Sequence, residues 1–100
     1  MQQSPFIVIV SFTTTLENQA TALEQIHHYI DTFLSHQPGF ISARLHKALD
    51  GSSIVNYAQW ESSEDFKRFS ELARSHPELP ALLQYQPKPR FLEVAHEYGH

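Results

Sequence analysis

The sequence predicts an α+β fold, and three observations support this prediction. The 100 residues are enough for one domain and few for two, so we expect a single domain over 1–100. Four segments carry the β-branched or alternating pattern of strands, and two carry the apolar periodicity of helices. Their order is βαββαβ. Its common compact arrangement is the ferredoxin-like one, a four-stranded antiparallel sheet with both helices on one face.

The first two elements are a strand and a long helix. The range 6–13 is rich in β-branched residues and follows a proline, which indicates a strand. Thr14 and Glu17 have the spacing of a capping box at a helix start. Apolar residues then recur at helical intervals until Pro38-Gly39, which ends the helix. This apolar face contains Leu16, Ala20, Leu23, Ile26, Ile30, Phe33 and Leu34.

The remaining elements are a hairpin, a second helix and a last strand. Alternation over 40–47 and a β-rich run over 54–60 predict two strands around the turn signal Asp50-Gly51. A hydroxyl and two acidic residues within 62–65 are typical of a helix start, because the helix dipole favours negative charge there. We expect a short helical turn over 79–83, an extended segment over 86–89 and a strand over 91–95.

The composition of the chain excludes several classes of function. Seven basic and eleven acidic side chains give a formal net charge of −4, so the chain lacks the basic face that nucleic-acid binding requires. No apolar run approaches the roughly 18 residues of a membrane span, and no signal peptide is recognisable. The absence of cysteine excludes disulfides, thiolate metal sites and cysteine nucleophiles. We therefore expect a cytoplasmic protein whose partners include neither nucleic acid nor membrane.

The predicted sheet has more apolar residues than two helices can cover. An antiparallel sheet face in contact with water is normally polar. Burying six apolar side chains on such a face would contribute at most about 9–18 kcal/mol. We therefore expect a second copy to cover that face, closing two sheets into a dimeric α+β barrel. The residues assigned to this face are Val8, Val10, Phe12, Ile41, Leu45 and Val55.

The length of the hairpin loop decides which polar residues meet. A shift of one residue turns every side chain of a strand to the other face. A three-residue loop over 50–52 would place His46 opposite Asn56, whereas a two-residue loop would place Leu45 there. We favour the three-residue loop, since it also brings Arg44 and Ser42 to the face that carries the polar group Asn56.

On this register, polar side chains lie beneath the helices. Asn56 and Trp60 are four residues apart on one strand, so they point to the same face, and His46 and Arg44 join them. Polar groups are rare in a packed core unless they are satisfied, whereas a few convergent polar groups in an apolar cleft are typical of a small-molecule site. The amide and indole N–H groups can stabilise an oxygen that gains negative charge.

The segment from His46 to Ser62 resembles the antibiotic biosynthesis monooxygenase family, in particular its cofactor-independent, quinone-forming members from aromatic polyketide pathways. The resemblance implies a dimeric α+β barrel that binds a flat phenolic substrate, whose anion reduces dioxygen without flavin, haem or metal. It also implies that Asn56 and Trp60 act in the oxygen chemistry and that His46 lines the site. The matching residues are His46, Asp50, Gly51 and the run Val55-Asn56-Tyr57-Ala58-Gln59-Trp60-Glu61-Ser62.

The chain differs at several positions from the family that it resembles. Relatives often have a tyrosine where Phe66 stands and an asparagine where Ser11 aligns. We take these two positions, with Arg44 and Ser42, as candidates for substrate binding. Haem-degrading relatives have a histidine where this chain has Ser70, so haem degradation is not expected.

Two function hypotheses follow. The first is a cofactor-independent monooxygenase that oxidises a small phenolic, anthrone- or quinol-like molecule with dioxygen. Asn56 and Trp60 would hold the developing oxyanion, and His46 or solvent would take the proton. The second is a dimeric barrel that binds or converts a small metabolite without oxygen, since one fold supports many activities. On this second hypothesis, Trp60 packs in the core and Arg44 forms an ion pair across the dimer.

Overall fold

The computed structural model describes residues 5–99. The two ends of the predicted domain, residues 1 and 100, therefore lie outside the described residues. The strands pair antiparallel in the order β2-β3-β1-β4, which confirms the ferredoxin-like α+β fold. Within 5–99, no helix is long and apolar enough to cross a membrane. The elements are β1 (Phe6–Thr13), α1 (Gln19–Thr32), a 3-10 turn (Leu34–His36), β2 (Phe40–Lys47), β3 (Ser53–Trp60), α2 (Ser63–Ala73), α3 (Leu79–Leu83) and β4 (Lys88–Glu93).

The start of α1 differs from the prediction. The reciprocal hydrogen bonds form one position later: the Thr15 N–H donates to Asn18 Oδ1 (2.8 Å) and the Asn18 N–H donates to Thr15 Oγ1 (3.2 Å). The Thr14 hydroxyl instead donates to the carbonyl of Gly51 (2.7 Å) and so ties the end of β1 to the hairpin. Leu16 is therefore outside the helix and 79% exposed, which removes it from the apolar face.

The other helix start is confirmed, and the last strand lies earlier than predicted. The Ser62 hydroxyl oxygen accepts from the Asp65 N–H (3.2 Å) at the start of α2. β4 occupies 88–93 rather than 91–95 and therefore includes Pro89. A proline fits here because β4 is an edge strand and pairs with β1 alone, so its outer side needs no backbone donor.

The register of the β2–β3 hairpin is the one that the sequence analysis rejected. Leu45 lies opposite Asn56, and His46 lies opposite Val55. The prediction that His46 faces Asn56 is therefore wrong. Leu45 joins the apolar side of the sheet, and the polar residues of β2 turn to the other side.

The physical reason is the conformation of the hairpin loop. The Ala48 N–H donates to the Ser53 carbonyl (2.9 Å), so the loop comprises the four residues 49–52 and gives the same pairing as a two-residue loop. The Asp50 carboxylate accepts from the N–H (3.0 Å) and the hydroxyl (2.6 Å) of Ser52, and these bonds lower the pKa of Asp50. Gly51 has φ +80°, a conformation that favours glycine.

The two faces of the sheet can now be assigned. We call the side packed against the helices the covered face and the opposite side the open face. Four of the six residues predicted for the open face lie on the covered face instead, because the even positions of β1 and Leu45 pair with buried positions of β3. Only Val55 lies on the open face as predicted, and Ile41 lies at a β-bulge. The four are Val8, Val10, Phe12 and Leu45.

The core fills the space between the covered face and the helices. Trp60, Ile26 and Ile54 are among its fully buried side chains. α1 and α2 contribute one stripe each, and α3 adds Leu82. The buried core residues are Val8, Phe12, Ala22, Ile26, Tyr29, Leu34, Ile54, Ala58, Trp60, Phe69, Ala73, Leu82 and Tyr85.

The hairpin register can be tested by two neighbouring substitutions in β2. We expect Leu45→Ala to lower the free energy of unfolding by about 2 kcal/mol, the low end for a core leucine because Leu45 is only partly buried. His46→Ala on the open face should change it by less than about 0.5 kcal/mol. Urea denaturation measures both. A larger loss for His46→Ala than for Leu45→Ala would contradict this register.

Candidate active site

A cavity of about 170 Å³ lies between the covered face and the helices. β1 and β3 form its floor, and residues of α1, α2 and α3 form its walls and roof. Its lining is apolar except for Tyr29, Asn56, Trp60 and Ser70. An apolar cavity with a few convergent polar groups is the usual form of a small-molecule site.

Two polar atoms in this cavity are buried without a hydrogen-bond partner among the described residues. They are Asn56 Oδ1 and Trp60 Nε1. Asn56 is 5% exposed and Trp60 is 0% exposed, so water does not freely replace the missing partner. Leaving a buried polar group unsatisfied costs about 1–3 kcal/mol. Both atoms therefore need an explanation beyond stability, and polar ligand atoms that bond to them supply one.

The position of this pair follows from the alternation of β3. Asn56 and Trp60 are four residues apart on one strand, so both point to the covered face. Ala58 lies between them on the same face and has a small side chain. Ala58 lines the cavity together with Asn56 and Trp60.

Aromatic neighbours hold the Trp60 ring in place. The ring centroids of Phe40 and Phe66 lie 5.7 Å and 5.6 Å from that of Trp60, both edge-on. Phe69 lies 5.3 Å away at a tilt of 34°. Such contacts contribute about 0.5–1.5 kcal/mol each beyond the area that they bury. The Trp60 ring consequently has little freedom to change its orientation.

The two unpartnered atoms are complementary to a hydroxyl group. The indole N–H can only donate, and the carboxamide oxygen of Asn56 can only accept. A ligand oxygen can therefore accept from Trp60, and a ligand hydroxyl can donate to Asn56. If a hydroxyl beside Asn56 loses its proton, rotation of the Asn56 amide brings its NH₂ group to the same position, and the amide then donates to the oxyanion.

Tyr29 is the one titratable residue among the described residues that line the cavity. Burial, and secondarily the carboxylate of Glu78, raises the pKa of Tyr29 to about 12. Its phenol therefore stays protonated at neutral pH and can donate a hydrogen bond, but it does not act as a base. The cavity thus offers hydrogen-bond donors and apolar walls, and its described lining includes no proton acceptor that titrates near pH 7.

The structure brings together only some of the residues that the sequence analysis selected. Asn56, Trp60 and Phe66 line the cavity. The prediction that His46, Arg44 and Ser42 share their face is wrong, because the β2–β3 register turns those three to the open face.

The displaced residues lie in a separate groove on the open face, which also includes Tyr57 and Gln59. His46 Nδ1 lies 3.3 Å from the carbonyl of Val55 there. Ser11 also lies on the open face, since it pairs with Val55. It is therefore on the wrong side of the sheet to contact a ligand beside Trp60, contrary to its selection as a substrate-binding residue.

The sequence analysis did not select Tyr29 or Ser70 for the site. Tyr29 lies three residues after Ile26, so the periodicity of α1 already placed it on the apolar face. Ser70 lies four residues after Phe66 and therefore shares its side of α2. A polar group on an otherwise apolar helix face was the available signal for both.

Comparisons with known proteins identify relatives of this chain. A model of the antibiotic biosynthesis monooxygenase family matches residues 5–76. The matched range contains Asn56, Trp60 and Phe66. The chain is 34% identical over 95 residues to the tetracenomycin-F1 monooxygenase of Streptomyces glaucescens, an alignment that covers 94% of this chain and 85% of that relative.

Two solved structures share the fold and part of the sequence. A monooxygenase from the gene ActVA-Orf6 of Streptomyces coelicolor, in complex with nanaomycin D, is 27% identical with a TM-score of 0.73. The match covers 97% of this chain and 93% of that one. An anthrone oxidase-like protein is 28% identical with a TM-score of 0.79, over 94% of this chain and 40% of that longer chain.

The buried phenol of Tyr29 makes stability depend on pH in a defined window. The folded state favours the neutral phenol, so stability is unaffected below pH 10, the ordinary pKa, and falls as the pH rises toward 12. We expect a loss of about 1–2 kcal/mol between pH 9 and pH 11.5, since solvent partly screens the phenolate, and Tyr29→Phe abolishes this loss. Chemical denaturation at pH 9 and pH 11.5 measures it, with Tyr57→Phe on the open face as the control. An equal loss in wild type and Tyr29→Phe would contradict this assignment.

Proposed function

The chain is a monooxygenase of the antibiotic biosynthesis monooxygenase family, and we propose that it oxidises a small phenolic, anthrone- or quinol-like molecule with dioxygen and without a cofactor. The observation that carries the proposal is the pair of unpartnered buried atoms, Asn56 Oδ1 and Trp60 Nε1, in an apolar cavity. A flat aromatic ring fits such walls, and a phenolic oxygen fits such a pair. The names of the relatives, a tetracenomycin-F1 monooxygenase and an anthrone oxidase-like protein, support the same class of substrate.

The first step is ionisation of the substrate. Hydrogen bonds from Trp60 and from the reoriented amide of Asn56 favour the phenolate over the phenol and so lower the pKa of the bound hydroxyl. No side chain in the described lining takes the proton near neutral pH, and His46 lies on the open face. The proton therefore passes to water, and the acidity of the substrate itself contributes to selection.

The second step is reduction of dioxygen by the anion. One electron passes from the substrate to dioxygen, and the resulting radical and superoxide combine to form a carbon–oxygen bond. The hydroperoxide then takes up a proton, loses the remaining hydrogen of that carbon as a proton, and breaks its O–O bond. One oxygen atom becomes a carbonyl and the other leaves as water, so R₂CH₂ and O₂ give R₂C=O and H₂O.

The role of the protein in this sequence is electrostatic and steric. Negative charge resides first on the substrate oxygen and then on the reduced dioxygen, and both lie in a cavity where donors are strongly effective because water is excluded. The aromatic frame around Trp60 keeps the indole donor in position throughout. The apolar walls also keep reactive intermediates away from bulk water.

The competing hypothesis was a barrel that binds or converts a small metabolite without oxygen. It was motivated by the fold, which supports many activities, and by Phe66 in place of a family tyrosine. The family assignment removes the first motive. Binding of phenols without oxygen uptake is the outcome that would restore this hypothesis.

We also propose that the protein is a homodimer joined through its open faces. The described helices cover one side of the sheet, and the open face carries Ile9, Val55 and Leu92. Leu92 is 41% exposed, and a second copy would bury it. On this arrangement, Arg44 and His46 lie at the interface between subunits, where Arg44 can pair with an acidic residue of the second copy.

Oxygen uptake tests the catalytic proposal. With 1,8-dihydroxyanthrone as substrate and no added cofactor, we expect Asn56→Ala and Trp60→Phe each to reduce kcat by about 10²–10³-fold. Neither should destabilise the fold through a lost hydrogen bond, because neither unpartnered atom forms one with the described residues. Gln84→Ala, an exposed change outside the sheet and the cavity, is the control and should retain activity within about twofold. Unchanged turnover in both site variants would remove the pair from the mechanism.

Light scattering tests the dimer. We expect the mass of a dimer at micromolar concentration, and Val55→Asp should shift the protein to a monomer because it places a charge within the apolar open face. Gln84→Asp, an exposed change outside the sheet, should leave the dimer intact. A wild-type monomer at these concentrations would exclude the proposed assembly.

A further inference from the structure

Phe66 separates the cavity from a second space at the surface. An open cleft of about 360 Å³ lies on the other side of its ring, along α2 and the edge strand β4. Phe66 and Ser70 are the two residues that line both spaces. We propose that Phe66 is a movable partition, and that a substrate of two or more fused rings occupies cavity and cleft together with the Phe66 ring turned aside. The identity of the substrate class rests on the proposed function, but the partition rests on geometry alone.

The volume of the cavity favours this arrangement. A cavity of roughly 150 Å³ in another protein holds a benzene molecule, so 170 Å³ suffices for about one aromatic ring. Sites for larger ligands have volumes of roughly 300–1,000 Å³. The cavity and the 360 Å³ cleft together fall within that range, and neither a two-ring nor a three-ring molecule fits the cavity by itself.

The aromatic contacts of Phe66 also support this arrangement. Its ring centroid lies 5.6 Å from that of Trp60 inside and 5.6 Å from that of Phe91 outside. Phe6 lies 6.1 Å from Phe66 and stacks on Phe91 at 5.8 Å. A row of rings thus leads from the surface to the indole, and a flat ligand that displaces Phe66 would regain its aromatic contacts.

The outer end of this row is exposed although it is apolar. Phe91 is 54% exposed, and the cleft beside it is lined by three aromatic rings and by four polar side chains of α2. An exposed apolar surface that continues into a buried cavity is typical of a ligand groove. Phe66 lies near the start of α2, so its ring can change rotamer without a change in the sheet that carries Asn56 and Trp60.

The opposite wall of the cavity offers the competing route of entry. Leu79 and Leu82 of α3 form it. Leu82 is 4% exposed and belongs to the core, whereas Phe66 borders an open cleft. Entry past Phe66 therefore displaces one partly buried ring, and entry past α3 displaces part of the core.

The fluorescence of Trp60 tests the partition directly, because it is the only tryptophan of the chain. Stopped-flow quenching compares a one-ring ligand, resorcinol, with a three-ring ligand, 1,8-dihydroxyanthrone. We expect Phe66→Ala to raise the association rate constant of the three-ring ligand by about tenfold or more and that of resorcinol by less than about twofold. Leu79→Ala probes the competing route, and Leu83→Ala, which is exposed on the same helix and lines neither space, is the matched control and should change neither rate.

Two further variants keep the test independent of folding. Phe66→Leu retains most of the apolar volume, and we expect a smaller rise of about threefold for the three-ring ligand with an unchanged thermal midpoint. Phe91→Ala, in the cleft and outside the cavity, should weaken binding of the three-ring ligand by about threefold to tenfold and leave resorcinol unaffected.

The outcomes separate this proposal from the proposed function. Selective acceleration in the Phe66 variants without any oxygen uptake would support the partition and overturn the oxygenase proposal. Oxygen uptake that depends on Asn56 and Trp60, with association rates insensitive to Phe66, would overturn the partition and leave the oxygenase. Acceleration of three-ring binding by Leu79→Ala instead would place the entrance at α3 and overturn the partition as well.

Discussion

The site depends on one geometric constraint, the alternation of side chains along β3. This strand lies between β2 and β1, so each of its residues is committed either to the covered face or to the open face. The alternation that buries Trp60 also buries Asn56 and Ala58, which lies between them on the same face. An unpartnered amide therefore accompanies the buried indole, and the small residue between them leaves space for a ligand. The chemistry of the site follows from this single strand.

The helices convert that strand into a cavity rather than a filled core. Phe66 and Phe69 of α2 and Phe40 of β2 surround the indole and hold it upright. Tyr29 of α1 closes another side with a phenol that remains neutral. Each unsatisfied polar atom costs about 1–3 kcal/mol in the free protein. On the proposed function, polar atoms of the bound substrate offset this cost, so the protein gains binding energy from groups that weaken the empty fold.

Patterns within one segment could be interpreted from the sequence, whereas the pairing of residues from different segments could not. Hydrophobic periodicity located all four strands and both long helices, because each pattern is local. The shared face of Asn56 and Trp60 was equally secure, since both lie on one strand. The position of His46 required the pairing between two strands, and that pairing depended on the hydrogen bonds of Asp50 and Ser52 in the loop. Three loop lengths fit the letters Asp50-Gly51, and only the folded turn selects one.

This one-residue difference changes the chemistry, because it removes an imidazole from the cavity. A site with His46 beside Asn56 would deprotonate its substrate and accept weakly acidic phenols. The observed lining contains donors and a neutral tyrosine, so on the proposed function it stabilises an anion without generating one. Selectivity in the proposed reaction then has two independent sources. The substrate must be acidic enough to ionise against water with the help of two hydrogen bonds, and its rings must fit the space that Phe66 divides. The first requirement acts on the oxygen and the second on the carbon skeleton.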